Sequence, residues 1–144
     1  MAFNRRVAIT VMGMAAGAFA VAAQSGETFK ARLAAVPADA RTRASLAGSG
    51  SVSAVLTGTK LAITGSFEGL LSEATSAGLH SAVAAGVRGP AIADLAISKA
   101  TSGTITGSVE LTPEQLTSLQ KGGLYVQIQS EKAPDGVLWG WFLR

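Results

Sequence analysis

Lys60-Leu61-Ala62-Ile63-Thr64-Gly65-Ser66-Phe67-Glu68 is the stretch whose reading decides the fold. Leu61, Ile63 and Phe67 share one parity, while Lys60, Thr64, Ser66 and Glu68 share the other. Side chains of a strand point alternately to the two faces of a sheet, so this stretch buries one face and wets the other. Gly58-Thr59 supplies a turn on its N-terminal side. Before that turn, Val52, Ala54 and Leu56 alternate with Ser51, Ser53 and Thr57. Further back, over 28–34, Phe29, Ala31 and Leu33 lie opposite Lys30 and Arg32. Downstream, Ile105, Val109 and Leu111 alternate with Thr104, Thr106, Ser108 and Glu110. Leu124, Val126 and Ile128 then alternate with Tyr125, Gln127 and Gln129. Weaker strand signals cover 78–83, 91–97 and 137–143.

A single helix interrupts the strands. Thr112 is suited to the N-cap, Pro113 to the first helical position, and Gln115 to the reciprocal bond of a capping box. The helix is expected to reach about Gln120 and to end at Lys121-Gly122-Gly123. The 36–50 segment is rich in Ala, Arg and Gly and reads as a loop. About eight short strands with one short helix predict an all-β fold, an antiparallel sandwich or barrel. No internal repeat and no second domain is visible.

The N-terminus is of another kind. Asn4, Arg5 and Arg6 precede an uncharged run over 7–23 that closes on the small residues Ala20-Val21-Ala22. A basic start, an apolar middle and a small-x-small end form a secretory signal peptide, leaving 24–144 as the folded domain. The competing reading is a membrane anchor, but a span takes about 20 strongly apolar residues and this run is short and rich in Ala and Gly. Arg5-Arg6 raises twin-arginine export, and Val7-Ala8-Ile9 continues that motif poorly. Ordinary secretion with cleavage is the expectation.

Loss of the leader alters the charge balance. The chain has 12 basic and 9 acidic residues, and two of the basic ones, Arg5 and Arg6, leave with it. The remaining charge is one positive unit, spread thinly, so no nucleic acid partner is expected. The chain has no cysteine, so an exported fold must rest on its core rather than on disulfides. About 120 residues suffice for one such core.

Candidate chemistry is sparse. Without cysteine there is neither a thiolate nucleophile nor a zinc-thiolate site. His80 is the sole histidine, and a nucleophilic triad would have to combine it with Asp94 or Asp39, at spacings that support no such arrangement. Gly48-Ser49-Gly50 leads into a strand, whereas a phosphate cradle needs a helix N-terminus. One imidazole without helpers makes a poor metal site, so His80 is expected to bond a neighbour or water. No catalytic, metal or cofactor residue is assigned.

Taken in order, several segments resemble a CHRD domain, the module named from chordin and common in secreted bacterial proteins. Phe29-Lys30-Ala31-Arg32-Leu33 with Val36-Pro37 resembles its opening strand and turn, and Gly50-Ser51-Val52-Ser53-Ala54 its second strand. Ala77-Gly78-Leu79-His80 falls where the family carries a His-x-His pair. The 103–111 stretch with Thr112-Pro113 and Leu119 resembles the late strand and helix. Gly123-Leu124-Tyr125-Val126 and Pro134-Asp135-Gly136 are similar to the closing Tyr-Val-x-Val-His and Pro-x-Gly-Glu segments. The resemblance implies an immunoglobulin-like or related β-sandwich, extracellular, with no established catalytic activity. Gly78 and Gln129 stand where the family has histidines, which argues against a metal site.

The last strand departs further. The family ends Gly-Glu-x-Arg-Gly, whereas this chain has Gly136-Val137-Leu138-Trp139-Gly140-Trp141-Phe142-Leu143. Alternation puts Val137, Trp139, Trp141 and Leu143 on the face that is polar in the family, with Leu138 and Phe142 in the core. A strand apolar on both faces is covered on both. The second cover is the 36–50 loop, another protein or lipid. Trp is enriched at binding hot spots, so a partner interface is expected from Val137, Trp139, Trp141 and Leu143, with Tyr125, Gln127 and Gln129 on the neighbouring strand.

The segments Tyr125-Val126-Gln127-Ile128 and Asp135-Gly136-Val137-Leu138-Trp139-Gly140-Trp141 also resemble the small subunits of membrane-bound quinohaemoprotein alcohol dehydrogenases of acetic acid bacteria. That resemblance implies a non-catalytic, periplasmic subunit that stabilises or anchors a large dehydrogenase subunit, with membrane contact only through partners. Quinone and haem would sit in the other subunits; this chain has no Cys-x-x-Cys-His. The alternatives are a free-standing secreted adhesive or matrix module, as in the wider family, and a metal-dependent enzyme built around His80.

Overall fold

The computed structural model describes residues 26–38, 40, 43–84 and 86–144. The expected leader over 1–23 lies outside the described residues. Eight strands follow in order: β1 (Glu27–Ala35), β2 (Ser49–Thr57), β3 (Lys60–Glu68), β4 (Ala74–Ser81), β5 (Ala91–Ile97), β6 (Gly103–Glu110), β7 (Leu124–Ser130) and β8 (Leu138–Trp141). A helix, α1 (Pro113–Gln120), joins β6 to β7. All pairings are antiparallel. The strands close in the order β1-β2-β3-β6-β5-β4-β7-β8, so of the two all-β forms expected the barrel is the one formed.

Two seams close the ring, and both are short. β5 meets β6 at Ala96↔Thr106 and Ile97↔Ile105. β1 meets β8 at Ala34↔Trp139 and Ala35↔Leu138. Beyond that pairing, Lys30 and Leu143 exchange backbone hydrogen bonds of 2.8 and 2.9 Å. Between the seams the pairing is long. β2 and β3 match from Thr57↔Lys60 to Ser49↔Glu68 around a turn in which Gly58 has φ +65°, a conformation that favours glycine.

The alternation at β3 holds residue for residue. Leu61, Ile63 and Phe67 are buried, and Lys60, Ala62, Thr64, Ser66 and Glu68 are exposed. Phe29, Ala31, Leu33, Val52, Ala54 and Leu56 join them in the core, as do Leu79, Ile105, Leu124, Val126, Ile128, Leu138 and Phe142. Each large side chain of that set contributes about 1.5–3 kcal/mol by leaving water. Val109 is only half-buried, whereas Leu111, two residues further on, is buried in the core.

α1 follows its sequence signals. Gln115 N–H donates to Thr112 Oγ1 at 3.2 Å, and Thr112 N–H donates to Gln115 Oε1 at 2.9 Å. Leu119 anchors the helix to the core, and Gly123 N–H returns to Ser118 O at 2.7 Å past the left-handed Gly122. β2, β4 and β8 differ from expectation: β2 begins at Ser49, inside the segment expected to be a loop over 36–50, and β4 ends at Ser81 rather than 83. β4 begins at Ala74 rather than 78, because a register shift against β7 between Ala74 and Ser76 breaks its alternation. β8 is limited to Leu138–Trp141, since Gly136 at φ +124° turns the chain just before it.

Candidate functional site: an aromatic face under a loop

The outer face of β4, β7 and β8 carries the residues singled out in the sequence. His80, Tyr125 and Trp141 form one cross-strand row, and Gly78, Gln127 and Trp139 form the next. Gln129 lies beyond, opposite Ser76, whose hydroxyl donates to Gln129 Oε1 at 3.0 Å. Positions 78, 80 and 129, singled out in the sequence for histidine, therefore share this face, and only His80 has an imidazole.

The aromatic rings form one cluster. Trp139 and Trp141 meet edge to face at 5.7 Å between centroids. Tyr125 lies 4.2 Å from Trp141 in a tilted stack and 5.8 Å from Trp139 edge-on. His80 stacks on the far side of Tyr125 at 4.9 Å. Such offset and edge-on arrangements suit the ring quadrupoles and hold each ring against its neighbours.

The second cover of this face comes from Arg88 and Gly89 of the 82–90 loop between β4 and β5. Gly89 N–H donates to Tyr125 Oη at 2.9 Å, and the same hydroxyl donates to Gly89 O at 3.2 Å. His80 Nδ1 lies 3.0 Å from that carbonyl, which can only accept, so Nδ1 carries the proton. Gly89 is required by the close approach: a Cβ there would overlap the Ser81 carbonyl. Arg88 reaches across the face. Its Nη1 donates to Gln127 Oε1 at 2.9 Å and to Asp135 O at 3.1 Å, and its guanidinium carbon lies 5.3 Å from the Trp139 ring centroid. Of the 36–50 segment, the described residues Val36, Pro37, Ser45 and Leu46 face Arg88 and the 132–136 turn across a cavity of about 120 Å³.

These contacts divide the expected interface residues into three groups. Trp139, Trp141 and Gln129 are half-buried and Leu143 is 58% exposed, so they remain open to an incoming surface. Tyr125 at 1% and Gln127 at 4% exposure share the outer face but lie beneath the loop; they support the tryptophans and are closed to direct contact. Val137 does not belong to this face. It is fully buried in the core, and its N–H donates to Ile128 O at 2.7 Å. The strand begins only at Leu138, after the turn at Gly136, so alternation counted back through Val137 fails there. Arg88 and Gly89 were not legible as members of the site, because their roles arise from loop placement rather than from any spacing.

Among the described residues, no three His, Cys, Asp or Glu side chains converge as a metal-ligating group. No helix among them is long and apolar enough to cross a membrane. Comparison with curated proteins and with solved structures returned no match. The family model for the CHRD domain matches residues 29–140, from the first core phenylalanine to the glycine between the two tryptophans. The chain thus belongs to the CHRD domain family.

Proposed function

We propose that this chain is a non-catalytic accessory module of an exported, periplasmic assembly, and that the open edge of its aromatic face binds a large protein partner. CHRD domains occur in secreted proteins, in keeping with a cleaved leader over 1–23. The observation that carries the binding role is the state of Trp139 and Trp141. Both are half-buried on an outer face, and both are packed against a buried Tyr125 tied to the 82–90 loop. Large aromatic side chains already restrained lose little entropy on docking, which is what a binding hot spot requires. His80 is engaged by Gly89 and Tyr125, which supports a structural role for the sole imidazole.

The partner we propose is the large subunit of a quinoprotein alcohol dehydrogenase, which carries the cofactors; the chain itself stabilises or anchors it. The test is affinity capture of the tagged, exported chain from a periplasmic and membrane extract, with dye-linked alcohol dehydrogenase activity followed through the column. The expected result is co-retained activity that is lost with Trp139→Ala plus Trp141→Ala. A monodisperse monomer that retains no dehydrogenase would overturn the reading and leave a free-standing matrix module.

A further inference from the structure

Trp141 borders a second feature, on the opposite side from Tyr125. An open groove of about 920 Å³ crosses the outer faces of β8, β1, β2 and β3. Its floor is made of small residues, among them Ala34, Ser49, Ser51 and Ser66. The strands beneath approach closely: a Cβ on Gly65 would lie 2.5 Å from the Ser51 carbonyl, and one on Gly50 would overlap that of Ser66. Trp141, Leu143, Lys30, Arg32, Arg144 and Glu68 stand around this floor.

The charges of the groove are not balanced. Arg144 is engaged with Glu27 at 3.0 Å. Lys30 and Arg32 are exposed and form no salt bridge among the described residues. Glu68 pairs in register with Ser49, at the Ala34 end of the groove, away from Lys30. Lys30 and Arg32 are two residues apart on one strand, so their side chains leave the sheet about 7 Å apart. Carboxylates at alternate positions of a second extended chain have that same repeat. The hydroxyls of Ser49, Ser51 and Ser66 offer hydrogen bonds to its backbone, and Trp141 and Leu143 offer an apolar wall.

We infer that this groove receives an extended acidic segment of the partner protein, with its carboxylates on Lys30 and Arg32. The inference rests on the accessory reading above and names the chemistry of the partner's second contact. Charge complementarity and the shared two-residue repeat select this occupant, and contact with Trp141 joins the groove to the aromatic face. Electrostatic docking of this kind steers encounter and weakens with salt.

The test uses the purified exported chain and a blocked peptide, Glu-Ser-Glu-Ser-Glu-Ser, with binding read by calorimetry and by the fluorescence of the two tryptophans. The expected result is binding at low salt that weakens several-fold by about 0.15 M salt, where the screening length is near 8 Å. Lys30→Ser with Arg32→Ser should weaken it about tenfold or more, whereas Lys60→Ser, at the far end of β3, should not. A Lys-Ser peptide should not bind. Absence of binding by the acidic peptide, or binding indifferent to the double change, overturns the inference. So does tighter binding of polygalacturonate or of phosphatidylglycerol vesicles through the same two residues. If the peptide fails while Trp139→Ala plus Trp141→Ala still strips the dehydrogenase, the groove assignment falls and the accessory reading stands. If the peptide binds but no dehydrogenase is retained, the groove stands and the accessory reading falls.

Discussion

β3 and β7 alternate alike in sequence, with apolar residues at every second position and residues able to hydrogen-bond between most of them. In the barrel they differ. β3 buries Leu61, Ile63 and Phe67 and leaves the intervening side chains to water. β7 buries Leu124, Val126 and Ile128 inside, and also Tyr125 and Gln127 outside, beneath the 82–90 loop. The contrast extends to the neighbours. The outer positions of β2, β3 and β6 hold mainly Ser and Thr, whereas those of β7 and β8 hold Tyr, Gln and Trp. A side chain that can be wet can also be covered. Tyr and Gln tolerate burial when their polar atoms find partners, and here Gly89, Arg88 and Asp135 provide them.

This difference can be tested by substitution. The largest effects are expected at Leu61→Ala, by about 2–5 kcal/mol as a cavity in the core, and at Tyr125→Ala, by a similar amount. Urea unfolding measures both. If Tyr125→Ala cost no more than a surface change, the second buried face would be refuted. Tyr125→Phe keeps the ring and removes both bonds to Gly89, so a loss of about 1–2 kcal/mol is expected, with faster hydrogen exchange at the Gly89 amide. Arg88→Ala should cost about 1 kcal/mol or less, because water can reach Gln127 Oε1 once the guanidinium is gone. Its clearer signature is altered tryptophan fluorescence, since Arg88 lies over Trp139. Thr64→Ala, on the wet face of β3, should change stability by less than about 0.5 kcal/mol.

Legibility followed the same division. β3, β5 and α1 have the expected bounds, because a hairpin turn, a period of two and a capping box are local signals. β4 covers Ala74–Ser81 rather than the expected 78–83, and the register shift against β7 at its start is a property of two strands together. Trp139, Trp141 and Leu143 were legible as one outer face because they lie at alternate positions from β8 onward, with Leu143 bridged to Lys30. Val137 lies in the core and not on that outer face, because alternation carries no information across the turn at Gly136. Lys30 and Arg32 were legible as a wet pair on β1, but nothing local revealed the groove they border.

By itself the sequence determined the all-β class, the core residues of the one-sided strands, the capped helix and the family. These follow from periodicity and from short motifs in a given order, which act between residues near in the chain. The tertiary structure alone decided that the ring closes at two short seams, and that Arg88 and Gly89 lie on the aromatic face. It also decided which of seven interface residues remain open. Those outcomes depend on contacts between residues far apart in the chain, Arg88 with Asp135 and Gly89 with Tyr125 among them, and no local period encodes such contacts.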